Sequence, residues 1–140
     1  MDWSYISGFF DADGNLHLVH NKRKGTYQLQ IRFFSSNKEA LSKIREFLDG
    51  KGNIYLKKQT KGVVNRSEVY ECTFTKKQDC LWILKNIFPH SIIRRQQIQF
   101  LLENYNFNRI KNGYFDIDKF RSFVTRKNVK RIHHTIYPLS

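Results

Sequence analysis

The stretch Trp3-Ser4-Tyr5-Ile6-Ser7-Gly8-Phe9-Phe10-Asp11-Ala12-Asp13-Gly14-Asn15 runs apolar and aromatic residues into a small pair, Ser7-Gly8, and then into two acids astride an alanine. Read physically, it is a short buried helix that stops abruptly and presents a carboxylate where it stops. Ser7 and Gly8 lack the bulk that would hold another backbone away. Gly14 supplies the permissive conformation that a helix end needs before the chain turns into a strand. Asp11 and Asp13 admit two readings. Either they are turn residues, for which aspartate is well suited, or they are carboxylates placed at a helix end to bind a hard divalent cation such as Mg²⁺. Asp-x-Asp-Gly alone is weak evidence; the apolar run feeding straight into the acids favours the cation.

Behind the acids the pattern alternates. Asn15 to Asn21 sets Leu16 and Leu18 opposite His17 and Val19, and a basic turn follows at Asn21-Lys22-Arg23-Lys24-Gly25. Thr26 to Ser35 has period two, with Tyr27, Leu29, Ile31 and Phe33 on one face and Gln28, Gln30 and Arg32 on the other. Phe34 would extend the polar row, and its direction is open. Ser36 or Asn37 caps a helix over Lys38 to Asp49, with Leu41, Ile44, Phe47 and Leu48 at helical spacing. Two more strands are expected. In Ile54 to Thr60, Ile54 and Leu56 oppose Tyr55, Lys57 and Gln59; in Arg66 to Thr75, Tyr70, Cys72 and Phe74 oppose Val69, Glu71 and Thr73.

The second half reads as helical. Cys80, Leu81, Ile83, Leu84 and Ile87 form one stripe, ended at Phe88-Pro89 because proline disfavours helix just before it. A helix over Ser91 to Tyr105 has Ile92, Ile93, Ile98, Phe100, Leu101 and Leu102 as core candidates, and a terminal helix is expected over Asp116 to Thr125. Residues 1–125 then form a single domain, and 126–140 a basic tail containing His133-His134.

This order gives an α+β domain with four antiparallel strands and helices on one face. The other face stays open and carries His17, Val19, Gln28, Gln30, Arg32, Tyr55, Lys57, Gln59, Glu71 and Thr73. Gln and Arg make bidentate hydrogen bonds to adenine and guanine edges in the major groove, which also admits a β-ribbon. An ordinary solvated strand face is the alternative. Charge weighs on the first side, since 25 Lys and Arg against 12 Asp and Glu leave +13. Such a balance favours a polyanionic partner, nucleic acid before a membrane surface. No window approaches the ~18 apolar residues of a membrane span, and the N-terminus lacks a signal-peptide pattern. Cys72 and Cys80 have no zinc-like spacing and read as buried thiols in a reducing compartment.

Ile6-Ser7-Gly8-Phe9-Phe10-Asp11-Ala12-Asp13-Gly14 resembles, without a gap, the motif of the LAGLIDADG homing endonucleases. Gly8, Asp11, Ala12, Asp13 and Gly14 match its consensus, and Ser7 replaces the small alanine. The resemblance, which runs from Trp3 to roughly Leu102, implies the family's αββαββα fold, with a saddle-shaped four-stranded sheet set over the major groove. Extra C-terminal helices would follow.

The motif occurs once; Tyr114-Phe115-Asp116-Ile117-Asp118 lacks the Ser-Gly step and the final glycine. Single-motif members form homodimers through this helix, so the resemblance places Ser7, Gly8 and Asp11 at the subunit crossing. A two-fold pair implies a pseudo-palindromic DNA target. It also makes Asp13 a metal-binding carboxylate, with the Ala12 carbonyl as a further ligand and Mg²⁺ or another divalent cation as cofactor, while Asp11 tethers backbone near the helix end. Asn37 falls where the family often has a polar group that orients water. Arg94 falls where it usually has a lysine; arginine keeps its proton near neutral pH, which leaves charge stabilisation as its expected role.

The expected function is therefore that of a homing endonuclease: a sequence-specific, divalent-metal-dependent double-strand DNA endonuclease acting as a homodimer. The alternatives on the same scaffold are a non-cleaving nucleic-acid binder, such as an RNA-splicing maturase with intron RNA as its partner, and a transcription regulator.

Overall fold

The computed structural model describes residues 1–57, 68–104, 110–111 and 116–123. In chain order its elements are α1 (Trp3–Asp13), β1 (Gly14–Asn21), β2 (Thr26–Ser35), α2 (Lys38–Phe47), β3 (Asn53–Leu56), β4 (Tyr70–Phe74) and α3 (Lys77–Ile87). A 3₁₀ turn (Phe88–His90) then leads to α4 (Arg95–Asn104), β5 (Ile110–Lys111) and α5 (Ile117–Ser122). The expected αββαββα order is present. The strands lie side by side as β1-β2-β4-β3, all antiparallel, and β5 pairs with the start of β2. Two residues are too few for alternation to reveal β5.

Register decides which side chains meet. Leu16 pairs with Ile31 and Leu18 with Leu29, which gathers apolar side chains on one face. His17 pairs with Gln30 and Val19 with Gln28 on the other. A slip of one residue would exchange the two faces. The apolar face, with Phe33, Cys72 and Phe74, packs under Ile6 and Phe10 of α1, Leu41 and Ile44 of α2, and Cys80, Ile83 and Leu84 of α3. Ile98 and Leu101 of α4 and Phe120 of α5 complete the core.

Helix α1 is fixed along its length. Asp2 caps it, accepting the Tyr5 N–H at 2.8 Å, and Trp3 sits edge-on to Phe47 and Trp82, each 5.2 Å away between ring centroids. Its end departs from expectation. Gly14 has φ −104°, a conformation open to any residue. The glycine is needed for space: a Cβ there would lie 2.1 Å from Phe10 Cδ1 and 2.6 Å from the Phe10 carbonyl oxygen. Gly14→Ala is therefore expected to destabilise the domain by about 3 kcal/mol, at the upper end for an overpacked site, as measured by thermal unfolding.

Two inward assignments are corrected. Leu56 is 53% exposed, because β3 is the outer strand and its side chains have a neighbouring strand on one side only. Ile92 is 83% exposed, because α4 starts at Arg95 and residues 91–94 follow a non-helical connection. No helix among the described residues is long and apolar enough to cross a membrane.

Cys72 and Cys80 are free and buried, and burial pushes both thiols up to about 12. Raised values stabilise the fold fully below the unfolded thiol pKa, and that contribution is lost as pH rises toward 12. A thiol reagent at pH 8 is expected to label either cysteine only after denaturant is added.

Candidate nuclease site and nucleic-acid interface

Burial along α1 assigns its residues to two sides. Ile6, Ser7, Phe10 and Asp11 are buried, whereas Tyr5, Gly8 and Ala12 are exposed, the separation that 3.6 residues per turn produces. Asp11 and Asp13 consequently part company. The Asp11 carboxylate accepts the Ser91 hydroxyl at 3.1 Å and the backbone N–H groups of Ile92 and Ile93 at 3.0 and 3.3 Å. It ties the connection between α3 and α4 to the end of α1. Asp13, the last helical residue, is exposed together with Ala12.

Arg94 answers from the other direction. Its Nε donates to the Phe10 carbonyl at 3.3 Å and its Nη2 to the Gly14 carbonyl at 2.6 Å, and the guanidinium lies 5.2 Å from the Phe10 ring centroid. The Phe10 carbonyl already accepts the Gly14 N–H, so Arg94 is a second donor to it; the carbonyl end of a helix carries partial negative charge, which a buried cation complements. The sequence places a positive charge at this position for work on a phosphate. The geometry instead shows a buried side chain clamping the helix end that carries Asp13.

Two further expectations are revised by position. Asn37 caps α2, its side-chain oxygen accepting the Ala40 N–H at 3.2 Å. It lines a groove with Met1, Tyr5 and Lys43, and Tyr5 stands roughly 12 Å along α1 from Asp13 at 1.5 Å per residue. Asn37 is a helix cap that shares this groove with the N-terminal part of α1. Ser7 is 1% exposed and donates its hydroxyl to the Ile87 carbonyl at 3.3 Å. Ser7 and Asp11 are both committed within the subunit, so of the three residues assigned to the crossing only Gly8 faces outward. A Cβ at Gly8 would meet nothing within 4 Å.

A divalent ion fits this helix end under one condition. Among the described residues no group of three or more His, Cys, Asp or Glu side chains could hold a metal. Mg²⁺, however, keeps several waters and takes only one or two carboxylates beside phosphate oxygens. An exposed Asp13 with the neighbouring Ala12 carbonyl suits a cation shared with a phosphate, and does not suit an enclosed site.

The open sheet face begins where α1 ends. Asn15, Arg32, Thr73 and Asn53 form one row across four strands through the pairs Asn15–Arg32, Arg32–Thr73 and Thr73–Asn53. His17 lies beside Gln30, and Tyr55 beside Glu71. Asn15 and Asn53 were missed as face residues; extending the alternation by one step at each strand start would have found them. The face is internally bonded. Arg32 Nη2 donates to Gln30 Oε1 at 2.7 Å, Arg32 Nε lies 3.6 Å from Glu71 Oε1, and the Thr73 hydroxyl donates to that same oxygen at 2.8 Å.

Gln28 Nε2 reaches the Thr75 carbonyl at 3.5 Å. Partial burial, then Arg32 and Arg121, lower the His17 pKa against the opposing pull of Glu71. Phe34 is half-buried, with Lys57 Nζ 4.8 Å from its ring centroid. Val19 and Gln28, with Asn21, Lys22 and Thr26, line a depression of about 410 Å³ at the hairpin end. Gln59 lies outside the described residues.

An open, mostly polar sheet face joined to a helix that ends in an exposed carboxylate is an arrangement suited to a DNA endonuclease. More narrowly, the chain belongs to the LAGLIDADG endonuclease family, whose profile matches residues 6–101. Solved structures share the fold. The homing endonuclease I-CvuI with an I-CreI target in the presence of magnesium, its DNA not cleaved, aligns at 17% identity over 99% of this chain and 96% of that one, with a TM-score of 0.61. I-CvuI with its Sro1.3 target in the presence of calcium aligns at 21% identity over 72% of this chain and 63% of that one, TM-score 0.55. The archaeal intron-encoded homing endonuclease I-Vdi141I in complex with DNA aligns at 22% identity over 74% and 66%, TM-score 0.57. In these last two alignments the chain spans less than two thirds of the other protein's length. A search of curated proteins finds no match.

Proposed function

We propose that the chain is a sequence-specific, divalent-metal-dependent homing endonuclease that cuts both strands of a pseudo-palindromic DNA site as a homodimer. The observation that carries this reading is the placement of exposed Asp13 at the junction of α1 and β1, where the polar sheet face starts. Asp11 and Arg94 hold that junction from two sides. The sheet face would dock in the major groove and bring a scissile phosphate to the helix end. Asp13 and the Ala12 carbonyl would hold Mg²⁺, and the chemistry supplied with it bound would be an activated water and stabilisation of developing charge. The magnesium and calcium present with I-CvuI on DNA support a divalent ion in this role.

Dimerisation rests on the outer stripe of α1. Tyr5, Gly8 and Ala12 are exposed at helical spacing, and Tyr5 and Met1, which precedes the helix, are large apolar side chains 49% and 54% exposed. A second copy crossing at Gly8 would cover them and bring two Asp13 carboxylates together, one for each strand. Gly8→Arg tests this. The added side chain points into open space within the subunit, so the variant is expected to fold, to sediment as a monomer where the parent is a dimer, and to lose double-strand cleavage. A variant that stayed dimeric would place the crossing elsewhere.

A further inference from the structure

We infer that Ile92, in the connection between α3 and α4, is a second contact between two copies of the chain and packs against the partner's α1; this rests on the proposed dimerisation through α1. The connection is turned inside out. Of residues 91–94, the polar Ser91 and Arg94 are 4% and 9% exposed, whereas Ile92 is 83% exposed, the most of any large apolar side chain among the described residues. Buried polar groups and exposed large apolar ones are the departures that carry information. The inward polar pair has its reason within the subunit. Ser91 donates to Asp11, and Arg94 donates to the Phe10 and Gly14 carbonyls. The outward isoleucine is left uncovered.

Ile92 is also held in place. Its backbone N–H and that of Ile93 donate to Asp11 Oδ2 at 3.0 and 3.3 Å, which fixes the segment against one flank of α1. That flank is the one beside Gly8, because residues three apart are neighbours on a helix surface. Two packed helices lie about 8–10 Å apart between axes, less than the ~10–12 Å diameter of a helix with its side chains. The partner's helix, crossing at Gly8, therefore spreads over the flanks of the crossing and reaches Ile92. The outer stripe it presents, Tyr5, Gly8 and Ala12, carries no charge and suits an isoleucine, which a polyanion would not. The two-fold axis makes the contact twice.

The test is the reactivity of Ile92→Cys toward a thiol reagent at pH 8, with the oligomeric state followed by sedimentation. The chain's own two cysteines are buried, so labelling of the native variant reports position 92 alone. The new side chain is smaller than isoleucine and stands in solvent within the subunit, so the variant is expected to fold. Labelling is expected to slow by about tenfold or more between concentrations at which the chain is monomeric and those at which it is dimeric. Adding Gly8→Arg should restore the fast rate throughout. Ile92→Glu should weaken the dimer by roughly tenfold or more, the loss of a buried apolar side chain from each copy. A dimer in which Ile92→Cys labels as fast as in the monomer would overturn this inference and leave dimerisation through α1 standing. Protection that appears only on adding duplex DNA, with the oligomeric state unchanged, would place Ile92 against DNA and overturn it too. A chain that stays monomeric at every concentration, alone and on duplex DNA, would overturn the dimer itself.

Discussion

Asp13→Asn is expected to abolish DNA cleavage while leaving binding to the same DNA within a few-fold of the parent. The substitution keeps size and hydrogen-bonding capacity and removes the charge with which an exposed carboxylate would hold a divalent ion. Changes in the outer shell of a metal site cost about 10–100-fold, and loss of the one acid exposed at this helix end among the described residues should exceed that range. Binding should persist because Asp13 lies off the polar rows of the sheet. A gel-shift assay beside a cleavage assay separates the two. If Asp13→Asn still cut at the parental rate, Asp13 would not be the metal carboxylate. If it no longer bound, its role would be in docking.

The second large effect is expected at the acid two residues earlier. Asp11→Ala removes the acceptor of one buried hydroxyl and two part-buried backbone N–H groups, and the Ser91 hydroxyl is the donor that water least readily reaches. Hydrogen bonds to a charged group are worth about 1.5–3 kcal/mol, and stranded donors add their own penalty. A loss of about 3–4 kcal/mol, or roughly 10 °C in Tm for a domain of this size, is expected by thermal unfolding. The two aspartates should therefore fail differently. Asp13→Asn keeps the fold and loses chemistry, whereas Asp11→Ala loosens the fold first. Arg94 belongs with Asp11, since its contacts run to the Phe10 and Gly14 carbonyls.

Period-two alternation made the strands legible, because each inward residue had to be apolar for the sheet to bury one face; Tyr27, Leu29, Ile31 and Phe33 are all buried as read. The motif made α1 and its exposed terminal acid legible for the same local reason. What could not be read locally was set by distant partners. Arg94 has the composition of a solvated helix residue, and only the approach of residues 91–94 to the end of α1 turns it inward. Ser7 reads as a small residue at a crossing; that the crossing is with the chain's own α3 depends on Ile87, 80 residues away. The final glycine of the motif reads as a source of backbone freedom, while the restriction comes from the Phe10 ring folded back over it. Asn37 reads as a helix cap from its local sequence, and its hydrogen bond to the Ala40 N–H makes that cap.

The central claim, that this chain cuts DNA with a metal-dependent, two-fold site, is tested most directly by incubating it with randomised duplex DNA and Mg²⁺ and sequencing the ends produced. The expected result is paired breaks at one pseudo-palindromic sequence, one in each strand and related by the two-fold axis, that disappear when the metal is chelated. Enrichment of a bound sequence without breaks would contradict the claim and make the chain a nucleic-acid binder. Breaks that persist under chelation would contradict the metal site at Asp13.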